Sequence, residues 1–262
     1  KSGFLSFISA LAFISTSLGV AVLIIVSSVM NGFEQELKDR VLNVIPHASI
    51  YGLNPIDDWE TVEINLREDT NIRGISPYIE TEALIKSKSA VAGVLVNGVI
   101  ASKDKSVSVI HEFMQTGNFE KIQTGNNIVL GRLLARKLNV DVGDKISLML
   151  PDTSSSFAGY FPKSKVFNIS GIFNIGSKDI DETLAYISLE NASILTGLKN
   201  QVHGFRLKFD DLFEAPYLVW QSLIFAEKNS NALLNAEDWS YTYGPLFEAI
   251  MMEKSLVFLL LT

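Results

Sequence analysis

The sequence predicts an α+β domain suspended between two membrane-spanning helices, the second cut off by the end of the chain. Three observations carry this. After Lys1 there is no charged residue until Glu34. The last residues, Ser255–Thr262 (SLVFLLLT), open a second apolar run. Between the two, short aliphatic and β-branched runs alternate irregularly with helical patterns, as α+β folds do.

The first stretch, SGFLSFISALAFISTSLGVAVLIIVSSVMNGF, is apolar from Phe4 to Met30. At ~1.5 Å per residue this makes roughly 40 Å of helix, enough to cross ~30 Å of hydrocarbon with some tilt. Ser6, Ser9, Ser15, Thr16, Ser17, Ser27, Ser28, Ala10, Ala12, Gly19 and Ala21 are small residues of the kind that let membrane helices approach closely. A signal peptide fits poorly, since its apolar region is shorter and ends at a cleavage site, whereas this one passes straight into a charged helix. In that continuation Phe33, Leu37 and Val41 share a face, and Glu34/Lys38 and Glu36/Arg40 are i,i+4 pairs. The pattern predicts one unbroken helix from Phe4 to about Asn43, ended by Pro46. At the other end Gly244-Pro245 is expected to open a helix leading into Ser255–Thr262. That run is too short to span a bilayer by itself.

Composition agrees. The chain is 47% hydrophobic with a net charge of −7 and has no cysteine. Without a Lys/Arg cluster, neither nucleic acid nor an anionic membrane surface is an expected partner. Disulfides, thiolate metal sites and a cysteine nucleophile are excluded. Orientation is weakly determined: positive-inside counting applies to short loops, and only Lys1 speaks for a cytoplasmic N-terminus.

In chain order, His47–Tyr51 reads as a strand and Asp57-Asp58 starts a short helix carrying Trp59, Val62, Ile64 and Leu66. Tyr78–Ile85 and Ala90–Ile100 read as strands, and Val107–Met114 as a helical segment. Ile128–Leu130 is a strand, followed by a helix with Leu133, Leu134 and Leu138 inside and Arg132, Arg136 and Lys137 outside. A turn at Val142-Gly143-Asp144 then leads to strand Lys145–Leu150. Val166–Phe173 and Leu184–Ile187 are strands and Leu189–Leu195 a short helix. In Val202–Phe209 alternation places Phe205, Leu207 and Phe209 on one face and Arg206 and Lys208 on the other. Phe213–Ala226 reads as a helix.

One loop stands out. Pro151–Lys165 (PDTSSSFAGYFPKSK) is too long for an ordinary hairpin connection, is bounded by Pro151 and Pro162, and carries Phe157, Tyr160 and Phe161 among serines and glycine. Aromatic anchors on a proline-held loop suit a partner-docking arm; the alternative is a loop whose aromatics fold back on the domain. The chain contains no phosphate-binding G-x-x-x-x-G-K-[ST] loop, no G-x-S-x-G elbow and no metal-ligand spacing around His47, His111 or His203. Each histidine reads as a surface or core residue. The acids at Asp57/Asp58, Asp179/Asp181/Glu182 and Asp210/Asp211 sit where turns and helix starts favour carboxylates. No catalytic site is expected.

Three ordered motifs carry a family resemblance. SLGVAVLIIVSSVMNGFEQELKDRVLNVIPHASI resembles the first membrane helix of the permease subunits of the lipoprotein-releasing ABC transporter, the LolC/LolE type within the MacB-like permease superfamily. IVLGRLLARKLNVDVGDKISLMLP resembles that family's periplasmic core, and GPLFEAIMMEKSLVFLLL the approach to its second span. The resemblance covers nearly the whole chain. It implies a multi-pass inner-membrane permease with its large middle domain in the periplasm. Residues 1–43 would be the first membrane helix and stalk, 44–102 plus 201–244 a porter-like subdomain, 103–200 an inserted β-rich subdomain with loop 151–165, and 245–262 a stalk and the start of the second span. It further implies a cytoplasmic ATPase partner that binds ATP and Mg, with no cofactor in this chain. A second permease subunit, a periplasmic lipoprotein carrier and a lipoprotein substrate are also implied.

The LolC-like member of the family carries a proline-flanked loop that hooks the carrier. Pro151, Phe157, Tyr160, Phe161 and Pro162 fall in that position, so the chain looks LolC-like, or like one permease serving both roles. The departures are the absent N-terminal elbow and later spans. Val22, Val26 and Met30 form an i,i+4,i+8 row expected to meet membrane lipid and the acyl chains of the substrate, with helix–helix packing as the alternative. The long first helix is expected to act as a stiff rod between ATPase and periplasmic domain, Gly32 being its weakest point. Two rivals remain: a MacB-like efflux or FtsX-like cell-division permease, and a bitopic periplasmic sensor or scaffold.

Overall fold

A computed structural model describes residues 2–37, 45–150, 164–228 and 230–261. The chain divides into two compact units, residues 1–39 with 242–262, and residues 40–241.

In the first unit, α1 (Ser2–Leu37) runs without interruption through the apolar stretch and past Glu34 and Glu36. The expected continuation to Asn43 falls on residues 38–44, which lie outside the described residues. Its segment Ser6–Gly32 is the one described stretch long and apolar enough to cross a bilayer.

The second unit is built on a ten-stranded mixed sheet, in the order β10-β1-β9-β2-β3-β8-β5-β7-β4, with β6 joining β2 to β7. The strands are β1 (Ala48–Ile56), β2 (Ile72–Lys86), β3 (Val91–Val99), β4 (Met114–Gly117), β5 (Asn127–Gly131), β6 (Lys145–Met149), β7 (Ser164–Phe173), β8 (Leu184–Ser188), β9 (Val202–Phe209) and β10 (Leu234–Asp238). Between them lie α2 (Trp59–Leu66), α3 (Ala101–Asp104), α4 (Arg132–Leu138), α5 (Lys178–Thr183), α6 (Leu189–Thr196) and α7 (Ala215–Glu227), and α8 (Trp239–Leu261) follows. This is the expected α+β class.

Pairing of β6 with both β2 (Leu84↔Met149) and β7 (Lys145↔Asn168) closes a ring of six strands, β2-β3-β8-β5-β7-β6. A small closed ring must fill its interior with alternate side chains. Here Ile85, Val94, Val96, Ile128, Leu130, Ile146, Leu148, Phe167, Ala185 and Ile187 make that core. The intervening residues Val99, Val129 and Tyr186 form a second core with Phe119, Phe173 and Ile180. Tyr186 stands edge-on to Phe119 and Phe173, with ring centroids 5.5 and 5.9 Å apart. Both faces of β5 and β8 are therefore buried, which is why their sequences read as short continuous apolar runs.

Outside the ring, β2 continues into an antiparallel flank with β9, β1 and β10. One face of that flank carries Ile50, Phe205 and Leu207, buried with Val62 and Leu66 of α2 and Val219 of α7. Two glycines permit close approach. A Cβ on Gly74 would lie 2.2 Å from the Ser106 carbonyl oxygen, and one on Gly98 would lie 2.1 Å from the Ala192 Cβ of α6.

Several expectations are corrected. Val107–Met114 is not an α-helix: a 3-10 turn at Ile110–Phe113 gives way directly to β4. Val107 and Ile110 are both buried, and i,i+3 spacing serves a 3-10 turn as well as an α-helix. Strand β2 begins six residues before Tyr78, passing Gly74 by a register shift against β9. Helix α5 and strand β10 were not expected as elements. α8 starts at Trp239, not Gly244, because the Asp238 carboxylate accepts the Ser240 N–H at 2.9 Å, and Pro245 is carried inside the helix. The loop is shorter than 151–165, since Ser164 and Lys165 already pair with Met149 and Leu148. Arg206, on the face of β9 opposite Phe205, Leu207 and Phe209 as alternation places it, is buried as well.

Candidate functional site

The two groups of residues singled out by sequence lie in separate units. Pro151, Phe157, Tyr160, Phe161 and Pro162 lie outside the described residues, but the strands that present them do not. Leu148, beside the end of β6, is fully buried and Leu150 nearly so. On the other side, the Lys165 ammonium donates to Asn191 Oδ1 at 2.7 Å and lies 5.8 Å from the Phe167 ring centroid. Because β6 is paired on both sides, to β2 and β7, the connection springs from the closed ring and not from a free hairpin.

On α1, Val22 is exposed, while Val26 and Met30 are half-buried. They share that partial cover with Leu23 and Ser27. The stripe Leu23, Val26, Ser27, Met30 has the spacing of one helix face. Val26 and Met30 thus belong to the covered stripe and Val22 to its open border.

A third constellation was invisible to alternation-based reading. Arg206 of β9 donates through Nη2 to Glu80 Oε2 at 3.0 Å and also to Asn97 Oδ1. Its guanidinium lies 4.8 Å from the Tyr78 ring centroid. Asp104, at the end of α3, is wholly buried, and among the described residues neither carboxylate oxygen has a hydrogen-bond partner. Burial pushes its carboxyl up to about 6, against the pull of Arg206. The signal that could have found this network is the coincidence of an arginine in β9, a glutamate in β2 and an asparagine in β3 at positions that only the register brings together: Ser76↔Arg206 and Glu80↔Asn97. It binds β9 to β2 and β3 where the flank meets the ring, and it has no nucleophile to activate.

His47 is a core histidine. Its Nδ1 accepts the Phe209 N–H at 3.3 Å, and its backbone holds Leu207 and Trp239. Burial and the nearby Lys208 depress its pKa to about 4. His203 is likewise held below its ordinary value by burial, and its Nδ1 accepts the Glu80 N–H at 3.2 Å. Among the described residues no group of three or more His, Cys, Asp or Glu side chains is placed to hold a metal ion.

Strands and helices in this arrangement match a known module: residues 9–213 match the MacB-like periplasmic core domain. The chain belongs to the MacB-like periplasmic core domain family. The whole chain is 34% identical over 267 aligned residues to the lipoprotein-releasing system transmembrane protein LolC of Neisseria meningitidis serogroup B, covering 63% of that protein. It is 30% identical over 265 residues to LolE of Haemophilus influenzae, covering 99% of this chain and 62% of that one. The chain therefore spans a little under two thirds of the length of these relatives. In fold it is similar to the extracellular domain of the noncanonic ABC-type transporter YknZ from Gram-positive bacteria, with a TM-score of 0.51 and 8% identity, covering 72% of this chain and 98% of that one. The matched residues include most of α1 and strands β1 to β9, and the sequence-predicted loop residues fall between β6 and β7.

Proposed function

We propose that this chain is the membrane subunit of an ABC transporter that extracts lipoproteins from the bacterial inner membrane and hands them to a periplasmic carrier. The observation that carries this reading is similarity along the whole of this chain to lipoprotein-releasing transmembrane proteins, at 34% identity to one that it covers to 63%. The chain itself is non-catalytic in this reading; ATP and Mg bind a separate cytoplasmic ATPase. Residues 245–262 lead into a second span, which makes the protein multi-pass, and residues 40–241 stand in the periplasm.

Within that domain, residues 44–102 with 201–244 are the porter-like part and 103–200 the inserted part. Supporting this, β10-β1-β9-β2-β3 comes from the first set and β4 to β8 from the second. The loop with Pro151, Phe157, Tyr160, Phe161 and Pro162 docks the carrier. Its support is the rigid root at β6 and β7, since a docking arm on a closed ring loses less entropy on binding than one on a free hairpin. Val22, at the open border of the α1 stripe, meets membrane lipid and substrate acyl chains, and Val26 and Met30 flank it. α1 transmits ATPase closure as a stiff helix, so a flexible insertion after Gly32 uncouples hydrolysis from release.

The test is a site-specific photo-crosslink from Tyr160 or Phe161 in cells that also make the periplasmic carrier. The expected result is an adduct to the carrier that disappears when Pro151 and Pro162 are replaced. If the loop is exposed and the carrier abundant, absence of the adduct overturns the lipoprotein-release reading in favour of efflux or cell-division permeases.

A further inference from the structure

Helix α7 has its small residues inside and its large ones outside. Ala215, Val219, Ser222 and Ala226 are buried against the flank. Phe213, just before the helix, and Tyr217, Trp220 and Ile224 on it are 51%, 70%, 53% and 72% exposed. Rotation cannot hide them, because the inner face is fastened. Ser222 donates to Asp69 Oδ2 at 2.6 Å, Lys228 pairs with Glu68 at 2.6 Å, and Asn65 donates to the Lys228 carbonyl. From Ala215 to Ala226 the helix carries no charge. The sheet and α2 cover the inner side of α7, and the Phe213 ring stands edge-on to Trp239 with centroids 5.7 Å apart. The outward Tyr217, Trp220 and Ile224 stay more than half exposed, and an apolar helix face of this kind is usually packed against a partner. Four large apolar side chains in a row exceed the scattered exposed residues of ordinary surfaces.

The spacing indicates what covers them. Positions 213, 217, 220 and 224 follow the 4-3-4 rhythm of a heptad seam, which packs against a second helix with the same rhythm. The row is also its own mirror. In an antiparallel pair about a two-fold axis between 218 and 219, Phe213 of one copy faces Ile224 of the other and Tyr217 faces Trp220, large against large throughout. A two-fold interface requires this self-complementarity. At 150–250 Å² for each aromatic when fully buried, the exposed parts offer roughly 500 Å² per copy. A pair would bury about 1,000 Å², the lower bound for a specific interface.

We propose that the outer face of α7 is the seam by which two copies of this chain pair through their periplasmic domains, antiparallel and in the register Phe213–Ile224 and Tyr217–Trp220. The inference rests on the reading of the chain as a paired transporter subunit and supplies the contact between the two.

This chain contains no cysteine, and any cysteine elsewhere in the full-length protein is first replaced by serine. Two differently tagged full-length copies, one Tyr217→Cys and the other Trp220→Cys, are co-expressed in membranes and oxidised; Phe213→Cys with Ile224→Cys forms the second matched pair. Disulfide-linked dimers carrying both tags are expected for both matched pairs. None is expected for Phe213→Cys against itself, whose positions are about 16 Å apart along the axis. Tyr217→Glu with Trp220→Glu, on an exposed face, is expected to abolish a Phe213→Cys with Ile224→Cys adduct while protease resistance of the domain is unchanged. If two copies co-purify but neither matched pair links, the seam is wrong and the transporter reading stands. Linkage from these positions to a different protein overturns self-pairing, and complexes holding a single copy overturn both the seam and the paired arrangement.

Discussion

Asp104 and His47 are buried ionisable groups on opposite slopes of the stability curve, and replacing either one should unmask the other. The Asp104 carboxyl is raised from 3.8 to about 6, chiefly by burial. Between those values the folded state holds a proton that the unfolded chain releases. Its contribution is thus complete below pH 3.8 and is lost as pH rises through 6. At ~1.4 kcal/mol per pKa unit, the loss is about 3 kcal/mol. His47 is lowered from 6.5 to about 4 by burial and by Lys208. The unfolded chain takes up that proton first, so stability is complete above 6.5 and is lost as pH falls through 4, again by about 3 kcal/mol. The two slopes nearly cancel between pH 4 and 6.5.

Asp104→Asn removes one slope. Measured by urea unfolding with pulse proteolysis on the full-length chain in nanodiscs, the variant should equal the parent near pH 4. It should exceed the parent by up to about 3 kcal/mol at pH 7.5, where the parent buries an unpartnered carboxylate. A constant offset at every pH, or a loss of stability at pH 7.5, would refute the reasoning. The first would mean that attraction to Arg206 balances desolvation, the second that it outweighs it.

The remaining predictions concern packing and the same titration. His47→Gln should remove the His47 slope that offsets Asp104, so that the variant loses more stability than the parent as pH rises from 4 to 6.5, read by the same unfolding series. Gly98→Val, which drives a side chain into Ala192 of α6, should cost about 1–3 kcal/mol, as overpacking does, seen as a lower urea midpoint. Phe205→Ala in the fully buried face of β9 should cost about 3–5 kcal/mol and increase hydrogen exchange in β1 and β2, its neighbours in the sheet.

Local patterns were legible wherever one residue type decides the outcome. The uncharged run to Phe33 determined α1 as a membrane-length helix, because charge is too costly in hydrocarbon to be placed there by chance. Trp59–Leu66, the strands of Ala90–Ile100 and Asn127–Gly131, and the turn at Gly143 were legible because propensity and burial point the same way there. The proline-bounded loop lies largely outside the described residues; its outer boundary was not legible, since Ser164 and Lys165 become strand only by pairing with β6.

What only the tertiary structure decided are the properties that depend on register between distant segments. No periodicity announces that β6 reaches both β2 and β7 and closes a six-stranded ring. Alternation sets Arg206 on the face opposite Phe205 and Leu207, and that face is buried at Arg206 because Glu80, Asn97 and Tyr78, over a hundred residues away in sequence, meet it across β2 and β3. The inverted helix α7, small inside and large outside, reads from sequence only as an apolar helix; which half faces the sheet is decided by how closely α7 must lie on β1 and β10, and small side chains are what that spacing admits. Sequence determined the elements and the membrane-length helix through local chemistry; the fold decided which polar groups are buried together and which apolar face is left for a partner, because both depend on contacts between segments distant in the chain.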